Sequence, residues 1–383
     1  MRLFRTAPLL FAVALANAST TPADPLRKVD EYVVAQMQQG HIPGVQVGIY
    51  RRGKVIFAKG YGAANLELGV PVRTDMVFQS GSVGKQFTAT GVMMLVQEGR
   101  VSLEDSITRY FPDTPPSWQP IKVKNLLSHT SGLGQYSNHE RTRPFGPFDL
   151  QHEVTEAEAL KRIEAMRIDF PVGERWLYCD TNYVLLGILI HRVTGEPWGE
   201  FLAQRIFKPL GMTATRVISD AEIIPNRVSG YTLKDEALRN QRWVAPFYNS
   251  TGDGAMYFNV LDLARWDAAL YTQALLSHSN LEKMWTPFAL NSGERNIANY
   301  GFGWFIRSIH GHKVIEHGGG WQGFTAHIAR YVDDGTTVVV LTNLSSGDAS
   351  EMAHAIAGLY DPALTPDADT DVPPAWLKDY DTE

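Results

Sequence analysis

Ser82 and Lys85 stand three residues apart at the head of a long apolar stretch over 87–96. A serine in the first turn of a helix points its hydroxyl out of the helix mouth, where unpaired N–H groups and the positive end of the dipole face it. A lysine three residues on shares that face. The pair sets a nucleophile beside a cation that can hold or help remove its proton. The spacing alone is weak, because roughly one S-x-x-K match arises by chance in a chain of this length. A serine cap followed by a surface lysine would read the same way, so the case rests on what lies downstream.

Three more segments follow in order. Leu126-Leu127-Ser128-His129-Thr130-Ser131-Gly132-Leu133 is a polar turn after a helix. Tyr178-Cys179-Asp180 runs directly into an apolar helix predicted over 183–193 and closed by Gly195. Glu316-His317-Gly318-Gly319-Gly320-Trp321 ends one strand and approaches the next. The glycine run suits a site, since bare backbone lets a substrate strand come close.

Together these segments resemble the serine β-lactamase and penicillin-binding-protein superfamily. They are most similar to its class C β-lactamase-like branch, with D-Ala-D-Ala carboxypeptidases and family VIII esterases. That group carries S-x-x-K, then Y-x-N, then Lys or His followed by x-Gly. Here the matches are Ser82 with Lys85, Tyr178 with Asp180, and His317-Gly318-Gly319. The resemblance spans about 29–360. It implies Ser82 as the nucleophile that carries an acyl group, with Lys85 orienting it and sharing its proton. It further implies Tyr178 as the base in acylation and then the acid for the leaving group. The oxyanion hole would use the N–H groups of Ser82 and Gly320, with Asp180, His317 and Gly319 beside the substrate. Loss of such a donor typically costs about 3–4 kcal/mol.

A charge estimate tests the tyrosine. Lowering a phenol from about 10 to near 7 needs roughly 4 kcal/mol. One cation at about 4 Å, at an effective dielectric near 20, supplies that much. Lys85 suffices if no anion cancels it. Asp180 is such an anion where most relatives have Asn. Alternatively it caps the following helix, for which its position is suited. His317 stands where most β-lactamases have lysine, and a neutral imidazole binds a carboxylate less strongly.

Other readings are weaker. Cys179 could serve a Cys-His hydrolase, yet beside S-x-x-K it reads as a small buried filler. His310-x-His312 with His317 lacks a carboxylate ligand at a familiar spacing, so neither metal nor cofactor is expected. The lipase G-x-S-x-G elbow is absent, because Ser80 stands where the first glycine belongs. Glu196, Tyr231, Trp243, Trp304 and Trp321 are candidates to shape a cleft, although aromatics are more often core.

The elements that must position these residues follow from periodicity and caps. Asp24-Pro25 opens a helix whose stripe is Leu26, Val29, Val33 and Met37. Strands are predicted over 45–50 and 55–61, and again over 300–306, 313–317, 324–331 and 336–341. Thr155-x-x-Glu158 is a capping box, and a last helix covers 348–360. Strands at both ends with helices between predict a mixed α/β (α+β) fold. An antiparallel sheet built from both chain ends (about 24–85 and 300–360) would be flanked by helices and carry a mostly helical insertion over 86–299. A cleft between the two parts is the natural ligand site. From 361 to 383 the Pro- and Asp-rich chain reads as a flexible tail.

Arg2 and Arg5, the apolar run 7–15 and Ala16-Asn17-Ala18 read as a signal peptide over 1–18, cleaved near Ala18/Ser19. The expected location is secreted or periplasmic, with no stable membrane insertion afterwards. Cys179 is the only cysteine, so stability must come from a core rather than a disulfide. A net charge of −6 without a dense basic patch gives nucleic-acid binding no support. The expected partner is a small molecule or short peptide. The sequence reading is thus an exported serine hydrolase of amides or esters. Its rival is a weakly catalytic penicillin-binding or peptidoglycan-sensing module in which the acyl group leaves slowly.

Overall fold

The computed structural model describes residues 24–136 and 149–367. The chain opens with α1 (Pro25–Gln39), which Asp24 caps by accepting from the Leu26 N–H. Strands β1 (Gly44–Arg51), β2 (Lys54–Asn65), β3 (Val70–Pro71) and β4 (Phe78–Gln79) follow, then the short 3-10 turn Gly81–Gly84 and α2 (Lys85–Gln97). The middle contains α3 (Val123–Leu127), α4 (Glu156–Glu164), α5 (Asp180–Thr194), α6 (Trp198–Leu202) and α7 (Lys208–Leu210). Strands β5 (Arg216–Val217), β6 (Tyr231–Lys234), β7 (Ala237–Asn240) and β8 (Met256–Phe258) lead to α8 (Val260–Ala269) and α9 (His278–Met284). The chain then returns to strands, β9 (Phe305–Ile309), β10 (His312–Trp321), β11 (Phe324–Tyr331) and β12 (Thr336–Thr342), before α10 (Ala349–Tyr360).

Seven strands form one antiparallel sheet in the order β3-β2-β1-β12-β11-β10-β9, so the two chain ends meet at β1 and β12. The alternation of side chains divides β12 between two cores. Val338 and Val340 face α1 and α10, among Val29, Val33, Met352 and Ile356. Val339 and Leu341 face the helical part, among Phe87, Tyr183 and Trp266. A strand covered on both faces reads as an unbroken apolar run, as Val338 to Leu341 of β12 do. The mixed α/β architecture expected from the sequence is what the chain adopts.

The insertion is mostly helical but also holds the hairpin β6-β7 and the strands β8 and β5, which β4 from the first part of the chain extends into a small sheet. Its centre is the pair α2 and α5, buried on nearly every side, which explains why neither shows a one-sided apolar stripe. The expectation of a flexible tail over 361–383 fails at its start, and residues 368–383 lie outside the described residues. Pro362–Leu364 form a 3-10 turn and Leu364 is fully buried in the core shared by α1 and α10. The reading of 1–18 as a signal peptide lies outside the described residues.

The insertion is tied to the sheet by a buried charge. Asp267 on α8 accepts from Arg330 Nε at 2.7 Å, from the Thr337 hydroxyl at 2.8 Å and from the Gly53 N–H at 2.8 Å. Neither partner of the ion pair has any exposed side-chain surface. Removing one member of such a pair strands the other, at about 3–5 kcal/mol. Asp267→Ala should therefore lower the unfolding free energy in guanidinium by that amount. A loss below about 1 kcal/mol would show that the pair is not what fastens α8.

Candidate active site

Ser82 lies in the 3-10 turn Gly81–Gly84, and Lys85 opens α2 directly behind it. The helix begins three residues later than the sequence suggests, because the turn must bend against β10. A Cβ on Gly319 would lie 2.6 Å from the Ser82 nitrogen, and one on Gly81, at φ 48°, would lie 2.5 Å from the Gly320 nitrogen. Glycine at both positions lets the two backbones touch. The Ser82 turn and the end of β10 therefore pack backbone against backbone at Gly319 and Gly320.

Lys85 has no exposed side-chain surface. Its ammonium donates to Ser82 Oγ at 2.8 Å, to Asp180 Oδ1 at 2.5 Å and to the Asp253 carbonyl at 2.7 Å. Three acceptors match its three hydrogens. The other oxygen of Asp180 accepts from Gln135 Nε2 at 2.6 Å, while Gln135 Oε1 accepts from the Asp180 N–H at 2.7 Å. The capping alternative for Asp180 is thereby corrected. Cys179 occupies the cap position and Asp180 is the first helical residue, with its carboxylate turned to Lys85 and Gln135.

Tyr178 is buried with its ring centre 4.9 Å from the Lys85 ammonium. A fixed histidine holds its other side. His129, at φ 57°, packs its ring tilted against Tyr178 with centres 4.4 Å apart, and its Nδ1 accepts from the Cys179 N–H at 3.2 Å. Burial and the Lys85 charge push His129 well below the ordinary histidine range, so the ring is neutral. His129 was visible only as part of the polar turn, and nothing in its sequence context showed that it would brace Tyr178.

His317 lies behind the pocket wall. Its Nδ1–H donates to the Gly318 carbonyl at 2.6 Å, and its Nε2 is 3.0 Å from the Tyr300 hydroxyl. Burial, followed by the Lys85 charge, lowers it to about 3. A neutral ring with both nitrogens engaged does not offer a substrate carboxylate an N–H. The expectation that His317 binds substrate directly is corrected to a role in the wall.

The pocket itself is lined by Ser82, Tyr178, Asp180 and Gly320 among the expected residues. Gln135, Tyr136, Tyr248 and Asp253 also line it and were not foreseen. A glycine-flanked acid in Gly252-Asp253-Gly254 was the available signal for Asp253. Of the five side chains proposed to shape a cleft, Trp321 lines the pocket, whereas Trp304 is fully buried core and Trp243 stands exposed. Cys179 donates to the Leu133 and Gly134 carbonyls, and burial pushes its thiol up to about 12, which suits a filler and not a nucleophile. Among the described residues Glu316, His327 and His354 are grouped closely enough to share a metal. Arg307 Nε already lies 2.6 Å from Glu316 Oε1 and supplies that group's cation.

Comparison with known proteins gives the family. The family described as Beta-lactamase matches residues 29–361. Penicillin-binding protein 4* of Bacillus subtilis (strain 168) is 30% identical over 317 residues, 79% of this chain and 68% of that protein. The octameric penicillin-binding protein homologue from Pyrococcus abyssi superposes with a TM-score of 0.78 at 27% identity, covering 92% of this chain and 80% of that one. A D-stereospecific amidohydrolase from Streptomyces sp. gives 0.70 at 27% identity, covering 84% and 97%. The chain belongs to the Beta-lactamase family, within the serine β-lactamase and penicillin-binding-protein superfamily.

The buried histidines make stability depend on pH. In the folded protein His129 and His317 both titrate below the unfolded value near 6.5. As pH falls below about 6.5 the unfolded chain takes up protons that the native state refuses, so stability declines down to the folded values. Each histidine contributes a slope approaching about 1.4 kcal/mol per pH unit. His317→Gln should make the decline between about pH 6.5 and 5 shallower by up to that amount in denaturant titrations. An unaltered slope would show that His317 is protonated in the fold.

Proposed function

We propose that the protein is an exported serine hydrolase that cleaves an amide or ester through an acyl-enzyme on Ser82. The observation that carries this reading is the 2.8 Å hydrogen bond from the buried Lys85 ammonium to Ser82 Oγ at the wall of a pocket. Tyr178 takes the Ser82 proton while Oγ attacks the acyl carbon, and the Ser82 and Gly320 amides hold the oxyanion. When the bond to the leaving group breaks, Tyr178 returns the proton to the departing nitrogen or oxygen. Water then cleaves the ester on Ser82 by the same path in reverse. Export rests on the charged, apolar and small-residue order of residues 1–18.

Within this class the charges favour a neutral reacting group. At the three motifs Lys85 and Asp180 offset each other and His317 is neutral. A site with two lysines and an asparagine would carry two positive charges. Carboxylate-bearing β-lactams lose that attraction here, while neutral esters and amides do not need it. The amidohydrolase relationship points the same way. A second reading is supported by the same ion pair. With Lys85 neutralised as a field source, the acyl group could leave slowly and the protein would act as a covalent binder.

Intact-mass measurement on protein recovered from expressing cells, before and after a fluorophosphonate, tests the reading. Loss of residues 1–18 and one adduct on the Ser82 peptide are expected, with none in Ser82→Ala. Rates on nitrocefin, p-nitrophenyl esters and amides should rank the neutral esters and amides first. A burst without sustained turnover favours the covalent binder. An adduct elsewhere, or kcat/KM for nitrocefin about tenfold above that for the esters, contradicts the proposal.

A further inference from the structure

We propose that Asp253 is the substrate-recognition residue for a positively charged amine on the acyl side of the scissile bond, so that the pocket takes aminoacyl amides or esters with a free ammonium group. This rests on the acyl-enzyme reading above and names the substrate class of that same site.

Asp253 is fixed relative to the nucleophile. Its carbonyl accepts from the same Lys85 ammonium that donates to Ser82 Oγ. Its side chain is held by two hydroxyls, with Oδ1 accepting from Thr251 at 2.6 Å and Oδ2 from Tyr136 at 2.8 Å. Both donors are neutral. Among the described residues no lysine, arginine or histidine forms an ion pair with the Asp253 carboxylate, and Asp253 is one of the residues that line the pocket with Ser82.

The site has a cation, but it is already matched. Lys85 pairs with Asp180 at 2.5 Å, and among the described residues the Asp253 carboxylate has two hydroxyl donors but no ion pair of its own. A partly desolvated carboxylate without a counter-ion is costly, and an arriving ammonium supplies what is missing. Burial, and next the charge of Asp180, raise Asp253 above the ordinary aspartate range against the opposing charge of Lys85. The aromatic surroundings agree. The Tyr136 and Tyr248 rings lie parallel within 7° with centres 6.1 Å apart, and both line the pocket. Aromatic faces favour cations and apolar side chains alike. An aminoacyl group presents both, with its ammonium one carbon from the reacting carbonyl.

The test compares aminoacyl p-nitroanilides of both configurations with their N-acetylated counterparts, on the full chain at pH 7. The free-amine form should be preferred in kcat/KM by about 10- to 100-fold, the range of a charge-assisted hydrogen bond. Asp253→Asn should lower that ratio by about tenfold or more, and Tyr136→Phe by a smaller factor. The wild-type preference should also fade above about pH 8, where the amine of the substrate loses its proton. Equal rates for free and acetylated substrates in the wild type overturn the inference, as does a ratio that Asp253→Asn leaves in place. The rate of Ser82 labelling by a neutral fluorophosphonate separates the two claims. If labelling is fast and the amine preference absent, only the role of Asp253 falls. If Ser82 does not label, the acyl-enzyme reading falls with it.

Discussion

The structure depends on one buried ammonium. Desolvating a lysine costs several kcal/mol, and only a complete set of acceptors offsets that. Lys85 finds one acceptor in each of three segments, the turn before α2, the start of α5 and the loop before β8. Moving any of these segments would leave a buried charge with an unused proton. The arrangement of the candidate site and the packing of the insertion are therefore one constraint. The α2 and α5 helices lie apolar side to apolar side so that their ends bring Ser82, Lys85 and Asp180 together.

The sheet supplies the other wall. Antiparallel pairing of β10 with β11 sets Gly318, Gly319 and Gly320 opposite His327, Ala326 and Thr325. The glycines leave the strand bare where the Ser82 turn rests on it. His317 beneath them is held neutral by burial and the Lys85 charge, with Tyr300 and the Gly318 carbonyl on its two nitrogens. The wall is shaped by hydrogen bonds that carry no net charge. The charge in the site thus resides in Lys85, Asp180 and Asp253.

Much of this was legible in the sequence where the cause is local. The Asp24 cap, the Thr155 capping box and the unbroken apolar run of β12 each follow from a few neighbouring residues. The motif order identified Ser82, Lys85 and Tyr178, and the structure gathers them. What escaped depends on distant pairing. Asp180 reads equally as a cap and as a partner of Lys85, and only the pairing across 95 residues decides between them. Asp253 joins the site through a carbonyl bond to a residue 168 positions earlier. The N–H of Cys179 meets the His129 ring across 50 residues. Leu364 belongs to the core because α1 and α10 leave a place for it, which Pro and Asp content alone does not reveal.

The central claim is that the Asp180 carboxylate, paired with the Lys85 ammonium, offsets its field at Tyr178. The most direct measurement is the pH dependence of kcat/KM for a neutral p-nitrophenyl ester, in the native protein and in Asp180→Asn. Asparagine retains the size and can still accept from Lys85, so the change is chiefly one of charge. Without the anion the Lys85 field on the phenol is no longer cancelled, and the acid limb should move to lower pH by about one unit or more. Superimposable profiles for the two proteins would contradict the account.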